Sequence, residues 1–178
     1  MNIVAISGSL RKGSYNTALL REMMKLAPAG MKIEIADISN LPMYNQDDEA
    51  AFPAEAQALK DKIENADGLI LATPEFNRSI SSALKNAIDW ASRPYGKNSF
   101  AGRIILTAGV AYGKTGTAPA QAHLRQILLY LDADVMGQPE LYLGPSADLF
   151  DANNELTRDS IKELLANALS VLAERVKK

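Results

Sequence analysis

Small polar and cationic side chains cluster in one glycine-bounded segment near the N-terminus. The segment Gly8-Ser9-Leu10-Arg11-Lys12-Gly13-Ser14-Tyr15-Asn16 follows a short apolar run and leads into a stretch with helical periodicity. A turn from a strand into a helix directs backbone N–H groups and the positive end of the helix dipole at whatever lies above it. Ser9, Ser14 and Asn16 add neutral donors, and Arg11 adds a fork that matches phosphate oxygens. The pattern favours a phosphate-monoester site over an ordinary serine-capped loop.

Three other phosphate-binding or phosphate-accepting loops do not fit this spelling. A dinucleotide fingerprint requires G-x-G-x-x-G, but position 10 is Leu10. A Walker A loop requires Lys after its second glycine, but Ser14 follows Gly13. A receiver-type phosphoacceptor domain would place acids at the end of the first strand, where this chain has Ser7-Gly8-Ser9.

A second polar segment, Thr73-Pro74-Glu75-Phe76-Asn77-Arg78-Ser79, also follows an apolar run. Pro74 fixes the backbone as it leaves the strand. We therefore predict that the next backbone N–H groups face the polar edge of a flat heterocycle, with Phe76 and Asn77 beside the ring. Glu75 is open to two interpretations: a general acid or base, or a loop carboxylate satisfied by local backbone donors, and we favour the second.

The remaining chemical candidates favour structural roles. His123 is the only histidine, and it lies in an apolar-periodic stretch, which favours a structural interpretation. The chain has no cysteine, which excludes disulfides, thiolate nucleophiles and thiol-based metal sites. Lys85 and Asp89 have the i, i+4 spacing of a helix-surface ion pair. Trp90 is most simply a core residue or a subunit contact.

Apolar patterning predicts the elements that position these segments. Short apolar runs predict strands at 3–6, 32–36, 68–72 and 103–106, and an interrupted fifth strand around 135–136 and 141–143. Helical periodicity lies between the runs and is clearest at 161–176. Such alternation predicts an α/β fold with a parallel sheet covered by helices on both faces, as one three-layer domain over residues 1–178. Ligands of such sheets bind outside the carboxyl ends of the strands.

Charge and hydropathy exclude several classes of function. The 19 Lys and Arg residues against 21 Asp and Glu residues give a net charge of -2, which offers no basic field for nucleic acid. No apolar run approaches the roughly 18 residues of a membrane span, and residues 3–6 are too short for a signal peptide. We therefore expect a cytoplasmic domain whose chemistry comes from a bound group.

The two loop segments together closely resemble the NADPH-dependent FMN reductase family, and within it the chromate and quinone reductase group. The resemblance extends through Leu84-Lys85-Asn86-Ala87-Ile88-Asp89-Trp90 and His123-Leu124-Arg125-Gln126-Ile127-Leu128, and it covers nearly the whole chain. It implies a flavodoxin-like fold, strand order 2-1-3-4-5, with non-covalently bound FMN. It also implies a homodimer or homotetramer, with the helix that carries His123 and Arg125 as a structural part of the assembly.

The resemblance also implies the residues that hold FMN. Those of the first segment would hold the phosphate: Ser9, Arg11, Ser14 and Asn16, with Tyr15 nearby. Those of the second would border the isoalloxazine: Pro74, Glu75, Phe76 and Asn77. Ala111 and Gly113, in the glycine-rich loop after the fourth strand, would complete the ring site.

Three departures from the family pattern bear on this assignment. Phe76 stands where the family usually has Tyr, so any contact through a phenol oxygen is absent. Ser81-Ser82 replaces the usual Pro-Gly or Pro-Ser pair; these serines can cap the next helix, but the missing proline predicts a looser turn before it. The loop 108–117 matches only loosely.

The implied activity is hydride transfer from NADPH or NADH to bound FMN, and then to a small-molecule acceptor. That acceptor would be a quinone, an azo compound, free flavin or a metal oxyanion such as chromate. Because the cofactor carries the difficult chemistry, no side chain is named as catalytic. The alternatives are a non-enzymatic FMN electron-transfer protein, which the near-neutral charge argues against, and a nucleotide-binding regulatory domain without redox chemistry.

Overall fold

A parallel sheet forms the centre of the protein, described over residues 1–177 by a computed structural model. Its strands are β1 (Asn2–Ser7), β2 (Lys32–Ala36), β3 (Gly68–Ala72), β4 (Ile104–Val110), β5 (Asp134–Val135) and β6 (Leu141–Leu143). The order is β2-β1-β3-β4-β5, and β6 pairs with the carboxyl half of β4. Because β5 and β6 lie along different parts of the same strand, they are the two pieces of the predicted interrupted fifth strand. The predicted flavodoxin-like order is confirmed.

In the described residues, five α-helices cover the two faces of this sheet. They are α1 (Tyr15–Lys25), α2 (Ala54–Glu64), α3 (Ser82–Ala91), α4 (Ala118–Tyr130) and α5 (Asp159–Val176), and short 3-10 turns span Gln46–Ala51 and Ser146–Asp148. Within β1, Ile3 and Ala5 pack towards α1 and α5, whereas Val4 and Ile6 pack towards α2, α3 and α4. Both faces are buried, which explains why the strands read as continuous apolar runs.

The register of the strands brings four chain segments to one edge of the sheet. Ser7 at the end of β1 pairs with Ala72 at the end of β3, and Ala72 pairs with Ala108 of β4. Val110 at the end of β4 pairs with Leu143 at the end of β6. The segments that follow β1, β3, β4 and β6 therefore leave the sheet at its carboxyl edge.

The long connection between β2 and α2 is held against α3. The backbone oxygen of Pro42 accepts hydrogen bonds from Asn86 Nδ2 at 2.9 Å and from Trp90 Nε1 at 2.8 Å, and the Tyr44 N–H donates to Asn86 Oδ1 at 2.7 Å. Trp90 is fully buried, which confirms its interpretation as a core residue. Lys85 and Asp89 form the predicted ion pair on the surface of α3, at 2.6 Å.

Candidate functional site

The first loop (residues 8–14) is fixed at both ends. At its start the Gly8 N–H donates to the Ala72 backbone oxygen at 2.7 Å, which ties it to the end of β3. At its end the buried Ser14 is the N-cap of α1, because its Oγ accepts a hydrogen bond from the Thr17 N–H at 3.2 Å. The loop is therefore preformed rather than loose.

The first loop and the first two residues of α1 present a row of free donors. The backbone N–H groups of residues 10–13 and of residues 15–16 have no hydrogen-bond acceptor within the described chain. They lie at the positive end of α1, where an oxyanion is stabilised. Arg11 and Lys12 are exposed beside them, and neither forms an ion pair with a described carboxylate. This combination matches a dianionic phosphate.

An aromatic cluster supports the outer side of the first loop. The Tyr15 ring packs against Phe150 at 5.2 Å and against Tyr112 at 6.1 Å between centroids. The Arg11 guanidinium lies over the Tyr15 ring at 5.4 Å from its centroid, within the range of a cation–π contact. The predicted phosphate-binding Arg11 is therefore held near the helix terminus, and Ser9 is half-buried at the start of the loop.

Asn16 connects the first loop to β4. Its Oδ1 accepts from the Val110 N–H at 2.9 Å and its Nδ2 donates to the Val110 oxygen at 3.1 Å, both in the interior. One acceptor and one donor of the side-chain amide are thus committed to backbone 94 residues away. The side-chain oxygen of Ser14 is similarly engaged in its cap. Direct phosphate contacts from these two side chains stay predictions, and their visible role is to shape the loop.

The second loop (residues 73–81) contains a tight reversal next to the first. The Phe76 N–H donates to the Ser79 oxygen at 3.0 Å, and the Ser79 N–H donates back to the Phe76 oxygen at 2.9 Å. The two central residues, Asn77 and Arg78, have φ values of 50° and 66°. Positive φ at both positions is the signature of a type I′ turn. The turn leaves Phe76 57% exposed and Asn77 exposed, whereas Pro74 is buried.

Glu75 is satisfied within the protein. Its Oε1 lies 3.1 Å from Arg78 Nη1, and its Oε2 accepts from the Ala120 N–H of α4 at 3.2 Å. The side chain is only 9% exposed. These contacts agree with the interpretation of Glu75 as a carboxylate satisfied by local donors. Because both carboxylate oxygens are occupied, only the backbone of Glu75 is available to contact a ring.

Ser81 ties the second loop to the first. Its Oγ accepts from the Leu84 N–H at 3.1 Å, which caps α3, and donates to the Gly8 oxygen at 2.5 Å. Ser81 therefore caps α3, as its residue type predicts, whereas the looser turn expected from the missing proline stays a prediction.

The third loop (residues 111–117) is lined by a segment that the sequence did not single out. In this closing segment (residues 144–150) the Ser146 N–H donates to the Ala111 oxygen at 3.0 Å, and a Cβ added at Gly144 would lie 2.3 Å from the Gly113 oxygen. The predicted ring-site residues Ala111 and Gly113 thus lie against it, and Phe150 at its end contacts Tyr15 at the start of α1. The only sequence signal was Gly144-Pro145 directly after a strand.

Residues of α4 line the other side of the second loop. His123 is exposed, and its Nδ1 lies 3.2 Å from Ser79 Oγ. Arg125 points towards the sheet and donates from Nη1 to the Met136 oxygen at 2.7 Å. His123 therefore supports the turn of the second loop, which agrees with its interpretation as a structural residue.

Within residues 1–177, no cluster of three or more metal-ligating side chains is placed to hold an ion. No helix in this part of the chain is both long and apolar enough to cross a membrane.

The residues present fit FMN. The row of free N–H groups and the two cations, Arg11 and Lys12, suit its phosphate. The second and third loops lie beside this row at the carboxyl edge of the sheet. There Phe76 and Tyr112, which is 74% exposed, offer apolar surfaces for the ring.

Comparisons with known proteins agree with this chemistry. The family model for NADPH-dependent FMN reductases matches residues 1–148. An NAD(P)H-dependent FMN reductase from Pseudomonas aeruginosa is 45% identical, over 97% of this chain and 93% of its own length. A 2-hydroxy-1,4-benzoquinone reductase from a Burkholderia species is 40% identical, over 99% of this chain and 97% of its own length. The structure of the flavoenzyme NAD(P)H:(acceptor) oxidoreductase FerB from Paracoccus denitrificans superposes with a TM-score of 0.91 at 36% identity, covering 99% of this chain and 97% of that one.

The family model matches most of the chain, and these relatives match nearly all of it. Together they identify the activity that the two loop segments predict. It is that of an NAD(P)H-dependent flavoprotein oxidoreductase with FMN as its cofactor. This chain belongs to the NADPH-dependent FMN reductase family.

Proposed function

We propose that residues 1–178 form one FMN-binding domain that reduces quinones at the expense of NAD(P)H, with the flavin phosphate on the first loop and its ring along the second and third loops. The observation that carries the proposal is the row of unpaired backbone N–H groups at the start of α1, on the same edge of the sheet as the turn of the second loop. The quinone class of acceptor is supported by the 2-hydroxy-1,4-benzoquinone reductase named above. A cytoplasmic location, where NAD(P)H is plentiful, is part of the same proposal.

When bound, FMN supplies the hydride-accepting ring. The first loop anchors the phosphate through its backbone, and Arg11 neutralises part of its charge. Phe76 and Tyr112 give the ring apolar neighbours and limit the access of water to it. No side chain needs to transfer a proton, and the nicotinamide and the acceptor occupy the same open face in turn. Ping-pong kinetics are therefore expected.

The decisive experiment is the visible spectrum of the purified full-length protein, followed by its bleaching under NADH or NADPH. A yellow protein that bleaches rapidly with either donor, and recovers its colour with a quinone, supports the proposal. A colourless protein without flavin would instead indicate a nucleotide-binding regulatory domain. A yellow protein that stays oxidised without a reductase partner would indicate an electron carrier.

Arg11→Ala is expected to weaken FMN binding by about 10- to 150-fold, because a charge-assisted phosphate contact contributes about 1.5–3 kcal/mol. The release of fluorescent FMN on dilution of the holoprotein gives the dissociation constant. Arg21→Ala, which removes the same charge from an exposed position further along α1, is the matched control. Equal affinity in the two variants would remove Arg11 from the site.

We also propose that the protein assembles as a homodimer or homotetramer through the outer face of α4. Leu129 and Tyr130 on this helix are 76% and 82% exposed, and Tyr130 borders a groove that also includes Tyr95 and Ile127. An exposed apolar surface of this kind is typical of a contact between proteins.

Tyr130→Glu is expected to lower the mass of the native particle to half, from dimer to monomer or from tetramer to dimer, because a charge would be buried in the contact. Light scattering coupled to size exclusion measures that mass. Met24→Glu is the control, since Met24 is a partly exposed apolar residue on α1, on the opposite face of the sheet. An oligomer that survives Tyr130→Glu would exclude this face.

A further inference from the structure

Helix α4 lacks an N-terminal cap of its own. Its N-cap residue, Thr117, makes no capping hydrogen bond, and its Oγ1 instead accepts from Gln121 Nε2 at 2.9 Å. The first turn contains no acidic residue, and Pro119 has no N–H to offer. The Ala120 N–H is thus the donor in this turn that a normal cap would satisfy.

Glu75 supplies the missing acceptor from 45 residues away. Its Oε2 accepts from the Ala120 N–H at 3.2 Å, and its negative charge lies at the positive end of a 13-residue helix. The side chain is only 9% exposed, so the contact is shielded from water. A residue of the second loop therefore fastens that loop to α4.

The same carboxylate holds a strained residue. Arg78 has a φ of 66°, in the left-handed region that favours glycine or asparagine, at the second central position of the type I′ turn. Its Nη1 lies 3.1 Å from Glu75 Oε1. A backbone in this region persists only when its surroundings hold it there, and the ion pair is one of the contacts that do so.

We propose that Glu75 is a positioning residue for the flavin, which clamps the turn 76–79 between the first turn of α4 and the Arg78 guanidinium. The clamp gives the turn one shape, so that Asn77 and the adjacent backbone meet the ring without a further loss of conformational freedom. This inference rests on the proposed function, because that function places the ring along the second loop.

The Glu75–Arg78 ion pair also affects the reduction potential of the flavin. Glu75 and Arg78 form a neutral pair beside the ring, and reduced FMN carries more negative charge than oxidised FMN. Removal of the carboxylate alone leaves an uncompensated cation and raises the reduction potential, whereas removal of Arg78 alone leaves an anion and lowers it. Removal of both returns the potential towards the wild-type value.

The test compares Glu75→Gln, Arg78→Gly and the double variant in the full-length holoprotein. Glu75→Gln keeps an oxygen for the Ala120 N–H, so α4 stays capped while the charge is lost. It is expected to weaken FMN binding about tenfold and to raise the potential. Arg78→Gly should leave the dissociation constant within about threefold and lower the potential, since glycine adopts φ of 66° without strain. The double variant should bind FMN more tightly than Glu75→Gln and recover most of the affinity that this single variant loses, because glycine at position 78 no longer needs the ion pair to hold its backbone.

Glu163→Gln on α5, an equal change of charge on the other face of the sheet, is the control. A wild-type affinity and potential in Glu75→Gln would overturn the inference, as would a double variant that binds as weakly as the single one. Thermal unfolding of each variant separates the local effect from a loss of fold. If the wild-type protein holds no FMN, the proposed function fails first, so the two failures are distinguishable.

Discussion

Gly109→Ala is expected to destabilise the protein by at least about 3 kcal/mol and to abolish stable flavin binding. A Cβ at this position would lie 2.1 Å from Thr117 Oγ1 and 2.3 Å from the Thr73 backbone oxygen. Both neighbours are fully buried, and neither is the free end of a flexible side chain. Relief of the clash therefore has to move the end of β4 away from β3 or from the start of α4, which separates the second and third loops.

Urea unfolding followed by circular dichroism measures the loss of stability, and the yield of flavin after native purification measures the loss of the site. Gly137→Ala is the matched control, because its added Cβ meets no atom within 4 Å and its backbone is outside the left-handed region. That control should stay within about 0.5 kcal/mol of the wild type. A Gly109→Ala variant with the same midpoint as Gly137→Ala would show that the end of β4 is free to shift.

Asn16→Leu is expected to have the second largest effect, a destabilisation of about 2–6 kcal/mol together with weaker FMN binding. The substitution leaves the N–H and the oxygen of Val110 buried without the partners they now have at 2.9 Å and 3.1 Å. Each unsatisfied polar group costs about 1–3 kcal/mol. Flavin affinity should fall as well, because the amide holds the first loop in register with the third.

Asn16→Asp separates the two hydrogen bonds, since aspartate keeps an acceptor for the Val110 N–H but places an oxygen against the Val110 carbonyl. It should also be destabilised. Asn40→Leu, a change of the same type at an exposed position, is the control and should be nearly neutral. Full stability of Asn16→Leu in urea would mean that water replaces the amide and that the link between the loops is dispensable.

The sequence was sufficient for the parts of the fold that depend on local pattern. Continuous apolar runs, such as Gly68–Ala72, predict strands buried on both faces, and the polar segments after them identify the first two loops. The Ser14 cap could also be predicted, because the N-cap preference for serine is a local property.

Contacts between distant residues account for what could not be predicted. The sequence predicts Asn16 as a hydrogen-bond donor to phosphate. Its actual partner, Val110, is 94 residues away and becomes its neighbour only through the order of the strands. Glu75 likewise acquires Ala120 through the tertiary structure. The left-handed backbone of Arg78 runs against residue preference, and the closing segment lies against the third loop only because β6 pairs with β4.

The long-range hydrogen bonds that hold the first loop determine when it can take its final shape during synthesis. The loop is made early in synthesis, yet the oxygen that receives the Gly8 N–H belongs to Ala72, and the backbone that holds Asn16 belongs to Val110. A nascent chain that ends before β4 therefore contains the whole sequence of the first loop but lacks the Val110 contact that holds Asn16. Such long-range pairings form late and slowly during folding. Competence to take up the cofactor should arise only after β4, which contains Val110, has left the ribosome and the central strands have come together.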